Sequence, residues 1–336
     1  MTLISFPMKS IAALFIILVI PCSLFSGEPK EKAEPQSIKP LEYNRAQLVE
    51  MAVVGEIAPP VLSDPPYRIS PDETIGVYPG IGSITYNFRA GDSAVNLAAD
   101  HVEPAVSIYN LGVDDNRDSP ESIALNVLAY IGNSARVISG DAKGTQGWVI
   151  GKHGGAEHVM IDFPNEVYEK LAIGDKIQIR AVGTGMKLLN IEGVMVMNMS
   201  PKLMEALTQA GMGVTAEGKL RVPVTHKVPA KIMGSGLGRN HVYRGDYDIQ
   251  LFDEKIVKEY HLDSLRFGDI VAIIDADHTY GRIYYTGAIS IGLVAHSRSF
   301  TAGHGPGVVT LFTSKEGKIE PVIAPDTNLA KLLSIR

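Results

Sequence analysis

Cysteine is almost missing from this chain: the single one, Cys22, lies near the amino terminus. Once that segment is removed, or Cys22 acylated, the folded part holds no free thiol. Disulfides, thiolate metal sites and cysteine nucleophiles are thereby excluded from it, and an oxidising compartment is compatible with it. Tryptophan is as scarce, with one residue, and aromatics make up only 7%. Positive charge is in deficit as well: 31 Lys and Arg stand against 37 Asp and Glu, a net of −6. A nucleic-acid partner therefore has no electrostatic footprint. The leading apolar run, residues 11–20, would span about 15 Å as a helix, half of a hydrocarbon core. That is too short for an ordinary membrane span, and nothing after residue 26 supports a membrane role beyond targeting.

What is present at the amino terminus reads as an address. Residues 1–26 carry one charge, Lys9, ahead of the apolar run. A basic residue, a short apolar stretch and then Ser23-Leu24-Phe25-Ser26 fit a secretory signal peptide cut after Ser26. Two rivals stand beside it. Cys22 closes the apolar run as a lipoprotein cysteine would, although Pro21 is not the small residue expected before one; an uncleaved anchor is the other. The expectation is an exported protein, periplasmic or secreted. Residues 27–43 mix charge and proline with little that is apolar and read as a solvated tether.

The remainder, at about 150 residues per domain, is long enough for two domains. We place them at residues 44–215 and 219–336, divided at the glycine-punctuated stretch around Gly211, Gly213 and Gly218. Hydrophobic residues at 45%, with 33 glycines and 20 prolines, point to a turn-rich, mainly β protein with a few short helices. One element recurs. Ile173-Gly174-Asp175-Lys176-Ile177 has a near twin in Phe267-Gly268-Asp269-Ile270-Val271, and Ala90-Gly91-Asp92 is a shorter relative. In each, Gly supplies the turn conformation and Asp bonds the turn backbone before a strand. Such entries are common in small closed barrels, so two β-barrel-like units are expected. Helices are predicted after Ser200-Pro201, after Asp253, and from Thr327 to Ser334.

Several strings together resemble one family. They are Asp100-His101-Val102-Glu103-Pro104, Ser139-Gly140-Asp141-Ala142-Lys143-Gly144, Lys152-His153-Gly154-Gly155, and Gly245-Asp246-Tyr247-Asp248-Ile249-Gln250. Val224-Thr225-His226-Lys227-Val228-Pro229 with its continuation to Gly238, and Gly303-His304-Gly305-Pro306-Gly307, complete the set. On these the chain resembles domain-of-unknown-function family 4438, over about residues 44–314. The resemblance implies a β-rich, two-part architecture and no particular reaction. Separately, Asp141 to Gly147 resembles a short glycine-and-glutamine string of the acetamidase and formamidase family, which implies an amide-type bond.

Chemistry concentrates in the second half. An apolar strand ends in Asp275-Ala276-Asp277-His278, and a second ends in His296-Ser297. A short loop then leads to His304 among glycines, where a ligand can approach the backbone closely. Carboxylates at a strand end need a partner, such as a cation or Arg282, or else they cap the turn. Two imidazoles and two carboxylates at loop ends form a permissible divalent-metal set. We take Asp275, His296, His304 and His101 as candidate metal ligands, Asp277 or Glu103 as the base, and Arg282 or Arg239 as an anion clamp. Glycine-rich Gly234, Gly236 and Gly238, followed by Arg239, form a candidate ligand loop. His153, Glu157, His158 and Asp162, around the Gly154-Gly155 turn, read as an ordinary hairpin with a polar face. No Rossmann, P-loop or serine-elbow pattern occurs.

The expectation is therefore a small-molecule protein, binding a ligand or hydrolysing a substrate with a divalent metal, its site near the domain interface. The contrary reading is a non-catalytic binding or assembly module of the cell envelope, homo-oligomeric or otherwise.

Overall fold

The structure is a computed structural model, and it describes residues 38–62, 65–77 and 80–336. The expected signal peptide and the tether up to residue 37 lie outside the described residues. The tether does not extend to residue 43. Lys39 pairs with Val214 and Tyr43 with Leu188, and the apolar side chains of Leu41 and Tyr43 lie against the core. No helix among the described residues is long and apolar enough to cross a membrane.

Six antiparallel strands close on themselves into a barrel. In order around it they are Glu50–Ile57, Lys176–Val182, Ser134–Val137, Gln146–His153, His158–Asp162 and Ala105–Tyr109, which pairs back with Glu50–Ile57. Alternation explains the interior. Along Lys176–Val182, Ile177, Ile179 and Ala181 are buried while Lys176, Gln178 and Arg180 face out. Closure removes the strand edges that would otherwise invite pairing with other chains.

The second half contributes a five-stranded sheet ordered Met195–Val196, Val308–Ser314, Ile283–Val294, Ile270–Asp277 and His226–Pro229. Only its last pair is parallel. Beside it, Gly213–Val214, Leu220–Val224 and Ile319–Ile323 form a three-stranded sheet. The near-continuous apolar runs Ile270–Asp277 and Val308–Ser314 are buried on both faces. One apolar cluster runs from the barrel interior (Ile57, Val106, Ile161) into this sheet (Leu293, Val309, Phe312). Each such side chain contributes roughly 1.5–3 kcal/mol on burial. Barrel and sheet therefore share a core, and loops from both can meet.

The recurring Gly-Asp element is the same capped turn three times. Asp175 accepts from Ala172 N at 2.9 Å, Asp269 from Arg266 N at 2.9 Å, and Asp92 from Arg89 N at 2.8 Å. Gly174, Gly268 and Gly91 precede them with φ of +89°, +83° and +95°. Helices Pro201–Gln209 and Glu254–Glu259 start at Ser200 and Asp253, whose side chains accept from backbone amides of the first turn. Leu329–Leu332 is the terminal helix. A further helix, Pro120–Leu128, follows the same Ser-Pro rule from its cap at Ser119 and was not anticipated.

Candidate metal centre

Five segments of the chain bring four histidines and two aspartates together. Ser297 N donates to Val102 O at 3.0 Å, Val102 N donates to Ser297 Oγ at 2.8 Å, and His101 N donates to Arg298 O at 3.2 Å. These bonds tie the 100–102 loop to the end of the Ile283–Val294 strand, setting His101 beside His296. His101 adopts a left-handed φ of +50°, a conformation that costs energy outside glycine and is common where function demands it. His153 is the last residue of the Gln146–His153 strand, directly opposite His158. Gly154 N donates to Asp246 Oδ1 at 2.8 Å, fixing the 246–248 segment against the hairpin. The 303–307 loop is tied to the same segment: Ile249 N donates to Pro306 O at 2.9 Å and Gly305 N to Asp248 Oδ2 at 3.3 Å.

The side chains converge as two sets of three, His101 with Asp248 and His304, and His153 with Asp246 and His296, each within 4.8 Å. The rings of His153 and His296 are 4.2 Å apart, and His101 stands 5.3 Å from His296 and 5.7 Å from His153. His101 Nε2 faces His304 Nδ1 at 3.3 Å. All are buried except His304, whose side chain is 37% exposed.

Three of the imidazoles have an oxygen beside Nδ1, hydrogen-bonded in His153 and His296. His153 Nδ1 lies against Glu103 Oε1, His101 Nδ1 lies 3.2 Å from Asp100 Oδ1, and His296 Nδ1 donates to Ser297 O at 3.0 Å. Each Nε2 is thereby turned into the cluster with its lone pair available, the arrangement that orients metal-binding histidines. His296 Nε2 stands 2.7 Å from Asp246 Oδ2. Yet the two atoms are misaligned for a hydrogen bond, and both are fully buried without a hydrogen-bond partner. Two inward-facing lone pairs at that distance repel unless a proton or a cation lies between them. Burial pushes the His296 pKa down, but the Asp246 and Asp248 carboxylates outweigh it and hold the ring well above its usual value. Burial likewise opposes ionisation of Asp246 and Asp248, and His296 outweighs it, holding both below the carboxylate range.

A cleft of about 390 Å³ opens onto the cluster, its lining including His101, His153, Asp246, Asp248 and His304 together with Arg117, Arg239 and Arg244. Arg244 is bound to Glu157 and Asp118 at 2.7 and 2.8 Å, and Arg239 stands 3.6 Å from Glu157. Three guanidinium groups thus line the cleft beside the carboxylates of Asp246 and Asp248.

The expected residues fall into three groups. His101, His296 and His304 are in the cluster. Asp275 is not: it sits at a bulge in its strand with φ +63° and accepts from Gly287 N at 2.8 Å, a turn role. None of the expected catalytic residues lines the cleft. Asp277 caps Thr279, accepting from its amide and hydroxyl. Glu103 is fully buried and already accepts from His153, His158, Gly82 N and Ser107 Oγ, which makes it a positioning residue without capacity left for a substrate proton. Burial opposes its charge, and His158 with His153 hold its carboxyl well below the usual range. Arg282 is entirely buried behind Gly236, and no side-chain nitrogen of it has a hydrogen-bond partner. Burial draws it down to about 10 against the pull of Asp246.

The glycine loop is not an amide cradle either. The amides of Gly234, Ser235, Leu237, Gly238 and Arg239 all donate to backbone carbonyls. Gly236 still lines the cleft, as does the Arg239 side chain. Residues 141–145 belong to the turn before the Gln146–His153 strand, away from the cleft lining. Asp246, Asp248 and His153 were missed as ligands. The signal for the first two was an Asp-x-Asp pair beside glycine, and for His153 a histidine ending a strand next to Gly154-Gly155.

Comparisons with known proteins agree with this architecture. No curated protein matches the chain. Among solved structures, the crystal structure of TM1086 is similar, with 45% sequence identity and a TM-score of 0.80, covering 87% of this chain and 99% of that one. Residues 67–205 match the family described as domain of unknown function (DUF4438), N-terminal, and residues 210–333 match its C-terminal counterpart. With both halves matched in order, the chain belongs to the DUF4438 family.

Proposed function

We propose that this protein is an exported, metal-dependent hydrolase acting on a small molecule with an anionic group. The observation that carries this reading is the pair of His-His-Asp sets at the floor of the cleft. Their donor atoms are imidazole nitrogens and carboxylate oxygens, the ligand types that suit zinc, manganese or iron. A divalent ion held there would supply an activated water at neutral pH and polarise the bond to be cut. The guanidinium groups of Arg117, Arg239 and Arg244 in the cleft lining support an anionic substrate, since such groups bind carboxylate and phosphate with defined geometry. Export rests on the amino-terminal leader alone.

The test is a panel of phosphate and carboxylate esters and amides, assayed on metal-loaded and chelated protein. Hydrolysis that needs the ion, disappears in His296→Ala, and shows a KM raised about tenfold or more in Arg239→Ala is expected. Metal-free, well-folded protein that takes up no ion overturns the reading and favours a plain binding module.

A further inference from the structure

We infer that the cluster is a two-ion centre: an inner divalent cation held by His153, Asp246 and His296, and an outer, exchangeable one held by His101, Asp248 and His304. This rests on the reading of the cluster as a metal site and adds its stoichiometry and the division of labour.

The donors converge as two sets of three rather than one of six. Asp248 faces both. Its Oδ1 lies 3.7 Å from His296 Nε2 in the inner set, and its Oδ2 lies 3.3 Å from His304 Nδ1 in the outer set. A carboxylate with one oxygen toward each set is placed to bridge two ions. Asp246 differs: its Oδ1 accepts from Gly154 N at 2.8 Å, and its Oδ2 lies 2.7 Å from His296 Nε2, in the inner set. Across the sets, the His101 ring lies 5.3 Å from that of His296 and 5.7 Å from that of His153, compatible with ions about 3.5–4 Å apart, the usual spacing in two-metal sites.

The two sets are not equivalent. His153, Asp246 and His296 are all buried, and two of them are further restrained, His153 by Glu103 and His296 by Ser297 O. The outer set includes His304, partly exposed on a loop and lining the cleft. An ion in the outer set has an open side toward the cleft, where water or substrate completes its coordination. Charge points the same way. Two divalent cations exceed the two carboxylates, and the positive excess beside an arginine rim suits an anionic substrate.

The experiment uses mature protein stripped by chelator, dialysed against Mn²⁺ and counted by elemental analysis, with electron paramagnetic resonance on the same samples. Two equivalents per chain and an exchange-coupled spectrum are expected for the wild type. His304→Gln, altered at a partly exposed position, is expected to retain one equivalent and an uncoupled signal. One equivalent in the wild type, or two uncoupled ones, overturns the two-ion centre while leaving a metal site in place. Two coupled equivalents retained in His304→Gln overturn the assignment of the outer set. No uptake at all overturns both this inference and the proposed metal chemistry. The wild-type count and spectrum decide the stoichiometry even if the variant does not fold.

Discussion

Gly307 stands so close to Asp246 that a methyl group built on it would lie 1.8 Å from Asp246 Oδ2 and 2.3 Å from His296 Nε2. The 303–307 loop can seat against the inner set only because this residue has no side chain. Gly307→Ala must displace either the loop or the two ligands. Overpacking of this kind costs about 1–3 kcal/mol. Chemical denaturation should register that loss, and elemental analysis should find the inner ion depleted. Unchanged metal content in a folded Gly307→Ala protein would place the ligands elsewhere.

Glu103 is the buried anchor of His153 and His158, which face each other across the hairpin. Glu103→Ala leaves two buried imidazoles, Gly82 N and Ser107 Oγ without their acceptor. Removing one partner of a buried charged network costs about 3–5 kcal/mol. Glu103→Gln keeps the shape but cannot accept from both imidazoles through two carboxylate oxygens. It is expected to fold and to bind Mn²⁺ about 10–100-fold more weakly, the usual effect of losing a partner that orients a ligand. A dialysis titration against the wild type measures it.

Local rules carried the fold a long way. The Gly-Asp turns at Asp92, Asp175 and Asp269, the caps at Ser200 and Asp253, and the alternation along Lys176–Val182 are each decided within a few residues. Three of the four histidines were also legible, because His101, His296 and His304 sit at strand ends or among glycines. Asp246 and Asp248 were not, since a carboxylate beside a glycine caps turns as readily as it binds metal. What separates them from Asp275 and Asp277 is the approach of the Gly154 hairpin and the 303–307 loop, contacts 92 and 57 residues apart in sequence. His153 failed for a related reason. Strand alternation marks it as part of a polar hairpin face, and only barrel closure turns that face toward the second sheet.

A buried ion pair away from the cluster provides a contrast. Asp162 accepts from Arg89 Nε at 2.7 Å, from Tyr168 Oη at 2.9 Å and from Ala90 N at 3.3 Å. Arg89 also reaches Phe163 O and Asn165 Oδ1. Asp162→Ala strands the guanidinium in the barrel wall, and a loss of about 3–5 kcal/mol is expected. The folded fraction should still bind metal as the wild type does. Urea unfolding, paired with metal counts on folded protein, separates this purely structural carboxylate from Glu103.

His278 sets part of the acid sensitivity. It follows the Ile270–Asp277 strand, fully buried. Its Nδ1 meets Thr310 Oγ1 at 2.8 Å, its ring lies 5.4 Å from that of Tyr247, and its Nε2 has no hydrogen-bond partner. Burial, with the nearby Arg282 charge, lowers its pKa to about 3. An unfolded histidine titrates near 6.5. Between these values the unfolded chain holds a proton that the folded one rejects, so stability falls as the pH drops through this window. The slope from one such group is at most about 1.4 kcal/mol per pH unit. His278→Leu removes the group from both states. Denaturation of wild type and variant at pH 4, 5 and 6 should therefore show a shallower slope in the variant by about that amount. Identical slopes would mean that His278 takes up its proton without unfolding the protein.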